Sequence, residues 1–337
     1  MSTMRRRRRT VAATALLMSV LVVSGCSSSG GLRAEQEREA AARAAAGSAG
    51  TPPLDVALIT HSAEGDTFWD VVRAGAEQAA AKDNIDLTYA ASPEGGEQAE
   101  LVRQAVDRGV DGIVTTLAKP DAMRAAVQEA TAAGIPVVVV NGGADVYAEM
   151  GAIAEFGQDE FVAGQEAGRQ LDALGAAHAV CVVHEQGSAS LDARCRGAQD
   201  TFSGELEDLF VDISNIPEVT SAVSGKLAAD PSVDAVLTLA APIANAAEQG
   251  ISDAGSSAQL GTFDLDTGLL DALDAGTVAF AIDQQPYLQG YLGVDQVWLS
   301  VFSGAVVGGG QDVLTGPQVI TAENSAAVRE AVEAGRR

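Results

Sequence analysis

The stretch LGTFDLDTGLLDALDAGTVAFAIDQQPYLQG, residues 260–290, contains two strand patterns separated by a helix pattern. The apolar run 260–263 ends in Asp264, and the apolar run 277–282 is followed closely by Gln284. Short apolar strands without polar alternation are typical of a parallel sheet that helices cover on both faces. Ligands of such sheets bind at the carboxyl ends of the strands, so we expect Asp264 and Gln284 to border a binding site.

The alternation of strand and helix extends in both directions from this stretch and begins at Leu54. It forms two similar series, which predicts an α/β protein with two doubly wound, Rossmann-like lobes and a crevice between them. A long amphipathic helix is predicted at 286–302. Strands are predicted at residues 56–60, 85–90, 112–117, 135–140, 152–156, 179–184, 210–213, 235–239, 260–263, 277–282 and 317–321.

The N-terminus has the pattern of an export signal. Five consecutive arginines (Arg5–Arg9) precede an apolar run too short to span a bilayer, and VSGC at 23–26 matches the lipobox of a bacterial lipoprotein signal. We therefore expect a signal peptide at 1–25, a lipid on the Cys26 thiol and a flexible linker at 26–53 that is rich in Ala, Gly and Ser. An uncleaved anchor is the alternative, and it would leave the protein in the same compartment.

The chain is strongly acidic, with 46 acidic against 21 basic residues and a formal charge of −25. Loss of the leader would take this charge to −30, because five arginines and no acidic residue would leave with it. A surface for nucleic acid needs a basic face, and so does adsorption on anionic lipid. We expect no nucleic-acid partner, and membrane attachment through the N-terminal lipid only.

Two cysteines, Cys181 and Cys195, remain in the exported domain, where disulfides persist. We predict that they pair, with two buried free thiols as the alternative. A metal site using Cys181 and His184 is disfavoured, because no second His or Cys pair stands nearby at ligand spacing.

The sequence lacks the short motifs of catalysis. It contains no G-x-S-x-G elbow, no Walker A loop and no H-E-x-x-H pair, and Leu269 stands where a calcium loop starting at Asp264 would need glycine. We expect no enzyme activity, no cofactor and no metal.

Six segments, in this order and spacing, resemble the periplasmic sugar-binding proteins of ABC importers, the ribose- and galactose-binding type. The resemblance runs from about residue 54 to residue 321. It implies a hinge of three crossovers, a first lobe of 54–156 plus 283–308 and a second lobe of 157–282 plus 309–330. The segments are GDTFW at 65–69, RGVDGI at 108–113, AGIPV at 133–137, ARCRG at 193–197, GTFD at 261–264 and IDQQP at 282–286.

The resemblance also implies ligand contacts in the first lobe. Phe68 and Trp69 would cover the C–H face of a sugar, although one of the two could be ordinary core. Asp66 would bind hydroxyls or cap the following helix, and both interpretations stay open. Asn141 follows a buried strand, but Gly142 replaces the arginine of the ribose-binding type, which argues against simple ribose binding.

In the second lobe, Arg196 matches the sugar-binding arginine of the family, with Arg194 as the less favoured alternative. Asp264 in this lobe and Gln284 beside a hinge strand of the first lobe would hydrogen-bond hydroxyls, whereas Asp266 is better explained as a helix N-cap. The family often has Asn-Asp where this chain has Ala240-Ala241, so backbone groups or Asn245 would have to substitute. The departures favour a different pentose, hexose or polyol.

The function implied is that of a monomeric, non-catalytic lipoprotein on the outer face of the cell membrane. It would capture a small sugar or polyol and deliver it to an ABC permease and its ATPase. A sensor presenting the same lobes to a membrane receptor is the main alternative, and a hydrolase is disfavoured. A repressor of this fold is disfavoured because the signal peptide occupies the place of a helix-turn-helix.

Overall fold

The structure is a computed structural model that describes residues 49–63 and 66–337. The predicted signal peptide, the Cys26 lipidation site and most of the predicted linker lie outside the described residues. The described part contains two six-stranded sheets with helices on both faces. This confirms the prediction of two doubly wound lobes.

The first sheet is parallel throughout and has the strand order β2-β1-β3-β4-β5-β11. Helices α1, α2 and α3 follow its first three strands in turn. Its strands are β1 (Leu54–Thr60), β2 (Ile85–Ala91), β3 (Gly112–Thr115), β4 (Val137–Asn141), β5 (Ala154–Gly157) and β11 (Val313–Leu314), and its helices are α1 (Phe68–Asp83), α2 (Gly95–Arg108), α3 (Pro120–Ala132) and α9 (Pro286–Ser303).

The second sheet repeats this order as β7-β6-β8-β9-β10-β12, with β12 antiparallel to β10 at the edge. The equivalent positions in the two sheets are therefore β1 and β6, each second from an edge, and β4 and β9, each near the centre. Its strands are β6 (His178–Val183), β7 (Glu205–Phe210), β8 (Ala235–Thr238), β9 (Gln259–Phe263), β10 (Phe280–Asp283) and β12 (Gln318–Ile320), and its helices are α4 (Glu160–Ala173), α5 (Ala189–Thr201), α6 (Ile216–Ala229), α7 (Ala241–Asp253), α8 (Thr267–Ala275) and α10 (Ser325–Glu333).

The central strands are buried along their whole length, which is why they lack polar alternation. Every residue of β3, β4 and β8 is buried. Each sheet carries one apolar cluster on each face, and helix α9 packs against α1 and β4 of the first lobe although it directly follows β10 of the second sheet. The chain thus returns from the second sheet to the first between β10 and α9.

Two sequence predictions are corrected by the sheets. The third crossover lies after Leu314 and not at 308/309, because β11 pairs with Phe156 and Gly157 of the first sheet. The strand predicted at 210–213 lies instead at Glu205–Phe210. This edge strand has much of its surface in solvent, so acidic residues alternate with its apolar ones and the apolar pattern is weak. Val211 and Ile213 lie beyond the end of the strand and pack into the core.

The disulfide between Cys181 on β6 and Cys195 on α5 is present, with the two Cα atoms 6.1 Å apart, which confirms the predicted pairing. It ties the buried face of α5 to β6, which lies between β7 and β8 in the second sheet. The neighbouring residue on α5, Arg194, is therefore held at a fixed place above that sheet.

Candidate functional site

The carboxyl ends of the central strands of both sheets face one cleft between the lobes. The free cavity within the cleft has a volume of about 40 Å³, which shows that the two lobes lie close together in this structure. Both lobes supply its walls. They are His61, Asp66, Phe68, Trp69, Asn141, His184, Glu185, Ser188, Ser190, Leu191, Arg194, Leu239, Ala240, Asp264 and Gln284.

Six of the seven residues predicted as ligand contacts border this cleft, and the seventh, Arg196, does not. Arg196 is exposed and lines two separate grooves on the surface. Residues two apart on a helix point in nearly opposite directions, whereas residues three and four apart share a face. Arg194 therefore faces the cleft with Ser190 and Leu191, and the alternative arginine takes the place predicted for Arg196.

Arg194 is 3% exposed and is held by three hydrogen bonds. Its Nε and Nη2 atoms donate to the two carboxylate oxygens of Glu160 over 2.6 and 3.0 Å, and Nη1 donates to the Leu239 carbonyl over 3.0 Å. The guanidinium also lies over the Phe263 ring, 4.6 Å from its centroid. Since a guanidinium has five N–H groups, two remain for a ligand in the cleft.

Charge at Arg194 is balanced within the site. Burial is the largest single effect and lowers the pKa of the guanidinium, but Glu160, Asp264 and Asp66 together raise that pKa by more, so the group stays charged. Bidentate pairing of this kind fixes the orientation of the guanidinium as well as its charge.

Equivalent strands of the two lobes end in paired polar residues. His61 and His184 directly follow β1 and β6, while Asn141 ends β4 and Asp264 follows β9. Asn141 and Asp264 both have left-handed backbone, with φ of 68° and 67°. Non-glycine residues in this region are uncommon and concentrate at functional sites, so the turn at each strand end aims a polar side chain into the cleft.

Gln284 joins the two lobes by one chain of hydrogen bonds. The Asn141 Nδ2 group donates to Gln284 Oε1 over 2.9 Å, and Gln284 Nε2 donates to Asp264 Oδ1 over 2.6 Å. All three side chains are buried. The side chains of Asn141, Gln284 and Asp264 thus form one hydrogen-bonded chain that crosses the cleft beside the second crossover.

The aromatic wall comes from the start of α1. Trp69 is 4% exposed and packs edge-on against Phe68 and His61, with ring centroids 4.9 and 4.7 Å apart. Asp66 accepts a hydrogen bond from the Phe68 backbone N–H over 3.2 Å and also borders the cleft. Both interpretations of Asp66 therefore have a structural basis, because one carboxylate oxygen supports the helix start while the group faces the cavity.

Burial dominates the protonation of the cleft. It raises the pKa of Asp264 to about 7, against the opposing effects of Arg194 and of the Gln284 hydrogen bond. It also raises the pKa of Asp66 to about 6, against the Phe68 N–H and Trp69. Burial lowers the pKa of His61 and His184 to about 3, helped by Arg194. Both imidazoles are neutral, and each offers one donor and one acceptor nitrogen.

Two contacts join the lobes across the cleft, away from the hinge. The Ala189 N–H at the start of α5 donates to the Ala118 carbonyl over 3.0 Å. The Lys119 ammonium lies 3.2 Å from a carboxylate oxygen of Glu185. Both pairs connect the loop after β3 with the loop after β6, so they exist only while the lobes are closed.

The histidines are the main functional residues that sequence reasoning missed. His61 and His184 each stand directly after an apolar strand, which is the same signal that identified Asp264. Near Ala240-Ala241, where the family often has Asn-Asp, the Leu239 carbonyl accepts a hydrogen bond from Arg194. Asn245 does not substitute there, because its amide binds Asp266, whose other carboxylate oxygen caps α8 at the Leu269 N–H as predicted.

Two groups of potential metal ligands occur in the part of the chain that the structure describes, and neither suits a metal. One is the disulfide with Asp208. The other is His178, Glu207 and Asp230, where the Lys226 ammonium lies 2.6 Å from Glu207 and 3.4 Å from Asp230. A lysine already fills the position of a cation there.

Two α/β lobes on a three-crossover hinge, closed over a cleft of amide, carboxylate, imidazole and guanidinium groups, define a solute-binding protein. Residues 56–301 match the family described as "Periplasmic binding protein domain". The match covers most of the chain, and the chain belongs to this family, whose members bind solutes outside the cytoplasm. None of the described helices is long and apolar enough to cross a membrane.

Solved structures and a curated relative agree with this family. A carbohydrate transporter from Acidothermus cellulolyticus in complex with myo-inositol is 46% identical, with a TM-score of 0.84, over 85% of this chain and 100% of the other. An ABC transporter solute binding protein from Agrobacterium vitis with bound D-fucose is 26% identical, with a TM-score of 0.71, over 80% and 96%. The xylose/arabinose-binding protein XylF of Sulfolobus acidocaldarius is 25% identical over 220 residues, 60% of this chain and 55% of that protein. The alignment thus spans about half the length of this curated relative.

Proposed function

We propose that this protein is the solute-binding component of an ABC importer and that its ligand is a neutral cyclic polyol of the myo-inositol kind. The observation that carries the proposal is the 46% identity, over the whole of its length, to a carbohydrate transporter that was solved with myo-inositol. The composition of the cleft supports the same ligand class independently.

The cleft favours hydroxyl groups on every side of a ring. Donor-acceptor groups stand around its perimeter on both lobes: His61 and Asn141 on one wall, His184 and Asp264 on the other, and Gln284 between them. A cyclic polyol presents a hydroxyl on each ring carbon, and each hydroxyl both donates and accepts. The rings at the start of α1 cover the C–H face of such a molecule.

The charge of the cleft disfavours an acid or a phosphate as the ligand. Glu160 already neutralises Arg194, and the carboxylates of Asp66 and Asp264 border the same space. Among the described residues of the cleft an anion would meet no unpaired cation, and at neutral pH it would face the charge of Asp66, whose pKa is about 6, and part of the charge of Asp264, whose pKa is about 7. Sugar acids and phosphorylated polyols are therefore excluded by the same residues that bind a neutral polyol.

The delivery function follows from the closed state of the lobes. Contacts from both lobes to one ligand stabilise closure, and a membrane permease with its ATPase would receive the closed form. We propose lipid attachment at Cys26, a monomeric state and no catalysis, supported by the leader pattern, by the single-chain cleft and by side chains that bind hydroxyls without a positioned nucleophile.

The test is a thermal-shift and calorimetric screen of the full mature chain. The panel contains myo-inositol, D-fucose, D-xylose, L- and D-arabinose, D-galactose, D-glucuronate and an inositol monophosphate. A saturating neutral polyol at about 100 times its Kd stabilises the protein by about 2.7 kcal/mol. We expect this with myo-inositol and none with the two anions. Tighter binding of either anion, or no binding in the whole panel, would contradict the proposal.

A further inference from the structure

A buried acid stands in the hinge without a partner. Glu155 lies on β5, the strand that leads into the first crossover, and its side chain is 0% exposed. Neither of its carboxylate oxygens has a hydrogen-bond partner among residues 49–63 and 66–337. An ionised carboxylate without partners is strongly unfavourable in the interior, and such an exception calls for an explanation.

The carboxyl group adjoins the backbone of the binding site. The point where a Cβ atom of Gly157 would stand is 2.3 Å from Glu155 Oε1 and 2.7 Å from the carbonyl oxygen of Asn141. Asn141 pairs with Gly157 across β4 and β5 and carries the amide that holds Gln284. Neither oxygen hydrogen-bonds to that carbonyl, so a neutral carboxyl group acts on this strand end by packing beside Gly157, whereas an ionised one would place a negative charge near the Asn141 carbonyl oxygen and repel it.

The three crossovers meet at the same place. The Thr315 N–H of the third crossover donates to the Gly157 carbonyl of the first over 2.6 Å. The Thr315 hydroxyl lies 3.0 Å from that carbonyl and 2.7 Å from the Gln284 carbonyl of the second. A shift of Gly157 or Asn141 is therefore transmitted directly to the hinge and to Gln284.

Acidic groups face Glu155 from the surrounding elements. Asp312 lies in the segment before β11, Glu160 opens α4 in the second lobe, and Tyr147 lies in the loop after β4. Burial raises the pKa of Glu155 to about 9, and the charges of Asp312 and Glu160 add to this. Burial and Asp312 also raise the pKa of Tyr147, so that its phenol is neutral.

We propose that Glu155 is a positioning residue of the binding site: as a neutral carboxylic acid it holds the Asn141–Gly157 end of the hinge in the geometry of the closed cleft, and its ionisation weakens ligand binding. This inference rests on the proposed function for its ligand. Glu160 belongs to the second lobe, and its charge in the closed structure raises the pKa of Glu155. A negative charge on Glu155 therefore opposes closure, and linkage requires the affinity to fall as that charge forms.

The experiment measures the Kd for myo-inositol from about pH 6 to about pH 10 in the wild type and in the Glu155→Gln variant, which stays neutral. The wild-type Kd rises as the pH increases towards about 9, the pKa of Glu155 in the closed structure, by up to about tenfold per pH unit for one group, and it levels off above that pH. The Glu155→Gln profile stays flat over the same range. The matched control is Glu149→Gln, an exposed acid of the same lobe that pairs with Arg124, and it keeps the wild-type profile.

A second variant keeps the test open if Glu155→Gln does not fold. Removing a negative neighbour by Asp312→Asn lowers the pKa of Glu155, so the rise in Kd begins at lower pH. The melting temperature of the unliganded protein over the same pH range is an independent readout, which separates failure of this inference from failure to bind myo-inositol. Three results would overturn the inference: identical profiles for wild type and Glu155→Gln, an unmoved profile for Asp312→Asn, or a chelator-sensitive affinity that identifies Glu155 as an ionised cation ligand.

Discussion

The assignment of Arg194 in place of Arg196 leads to a quantitative prediction for Arg194→Lys. Lysine keeps the positive charge but replaces a planar fork of five donors by three donors on one nitrogen. In the structure three N–H groups of Arg194 hold Glu160 and Leu239, which leaves two for the ligand. A lysine that still pairs with Glu160 cannot reach both ligand positions.

The loss corresponds to at least one hydrogen bond from a charged donor, which contributes about 1.5–3 kcal/mol. The Kd measured by calorimetry should therefore rise about 10- to 150-fold. The matched control is Arg196→Lys, two residues along the same helix on an exposed face, which should change the Kd by less than about threefold. A large loss for Arg196→Lys together with an unchanged Kd for Arg194→Lys would refute the assignment.

Three further predictions follow from the cleft and the disulfide. Lys119→Met removes the ion pair with Glu185 across the cleft, which contributes about 1 kcal/mol, so ligand dissociation should become about fivefold faster in stopped-flow measurements. The control Arg124→Met removes an exposed ion pair within one lobe and should leave the dissociation rate unchanged. Replacing Cys181 and Cys195 by serine should lower the free energy of unfolding by about 3 kcal/mol in urea titrations, and an unchanged midpoint would contradict it. The folded state holds a proton on Asp264 up to about pH 7, whereas the unfolded chain releases it near pH 4. The free energy of unfolding of the unliganded protein should therefore fall as the pH rises from about 4 to about 7, and in Asp264→Asn this part of the pH dependence should disappear.

The strand-end residues of the site could be predicted because their signal is local. A buried parallel strand is a continuous apolar run, and the first polar residue after it faces the ligand edge of the sheet. This logic located Asn141, Asp264 and Gln284. It applies equally to His61 and His184, but their relation is visible only when the two sheets are superimposed as repeats of one strand order.

The residues on helices and edges could not be placed in the same way. The motif ARCRG contains two arginines, and which of them faces the cleft depends on the rotation of α5, which the Cys195 disulfide and the packing of Leu191 determine. An edge strand is partly exposed and therefore lacks a continuous apolar run, which is why the sequence predicted β7 at 210–213 and not at Glu205–Phe210. The two-residue strand β11 has too little sequence to give any period.

The repeated strand order has a consequence for how tightly a solute can be held. Each half of the molecule offers its own incomplete set of polar groups, so the ligand acts as a bivalent bridge and the hinge keeps the second half-site at high effective concentration. Modest affinity in each half then multiplies into tight capture. Gly157, Gln284 and Thr315 lie where the connecting segments meet. The geometry of these three residues therefore influences the effective concentration of the second half-site, and with it the affinity for the solute.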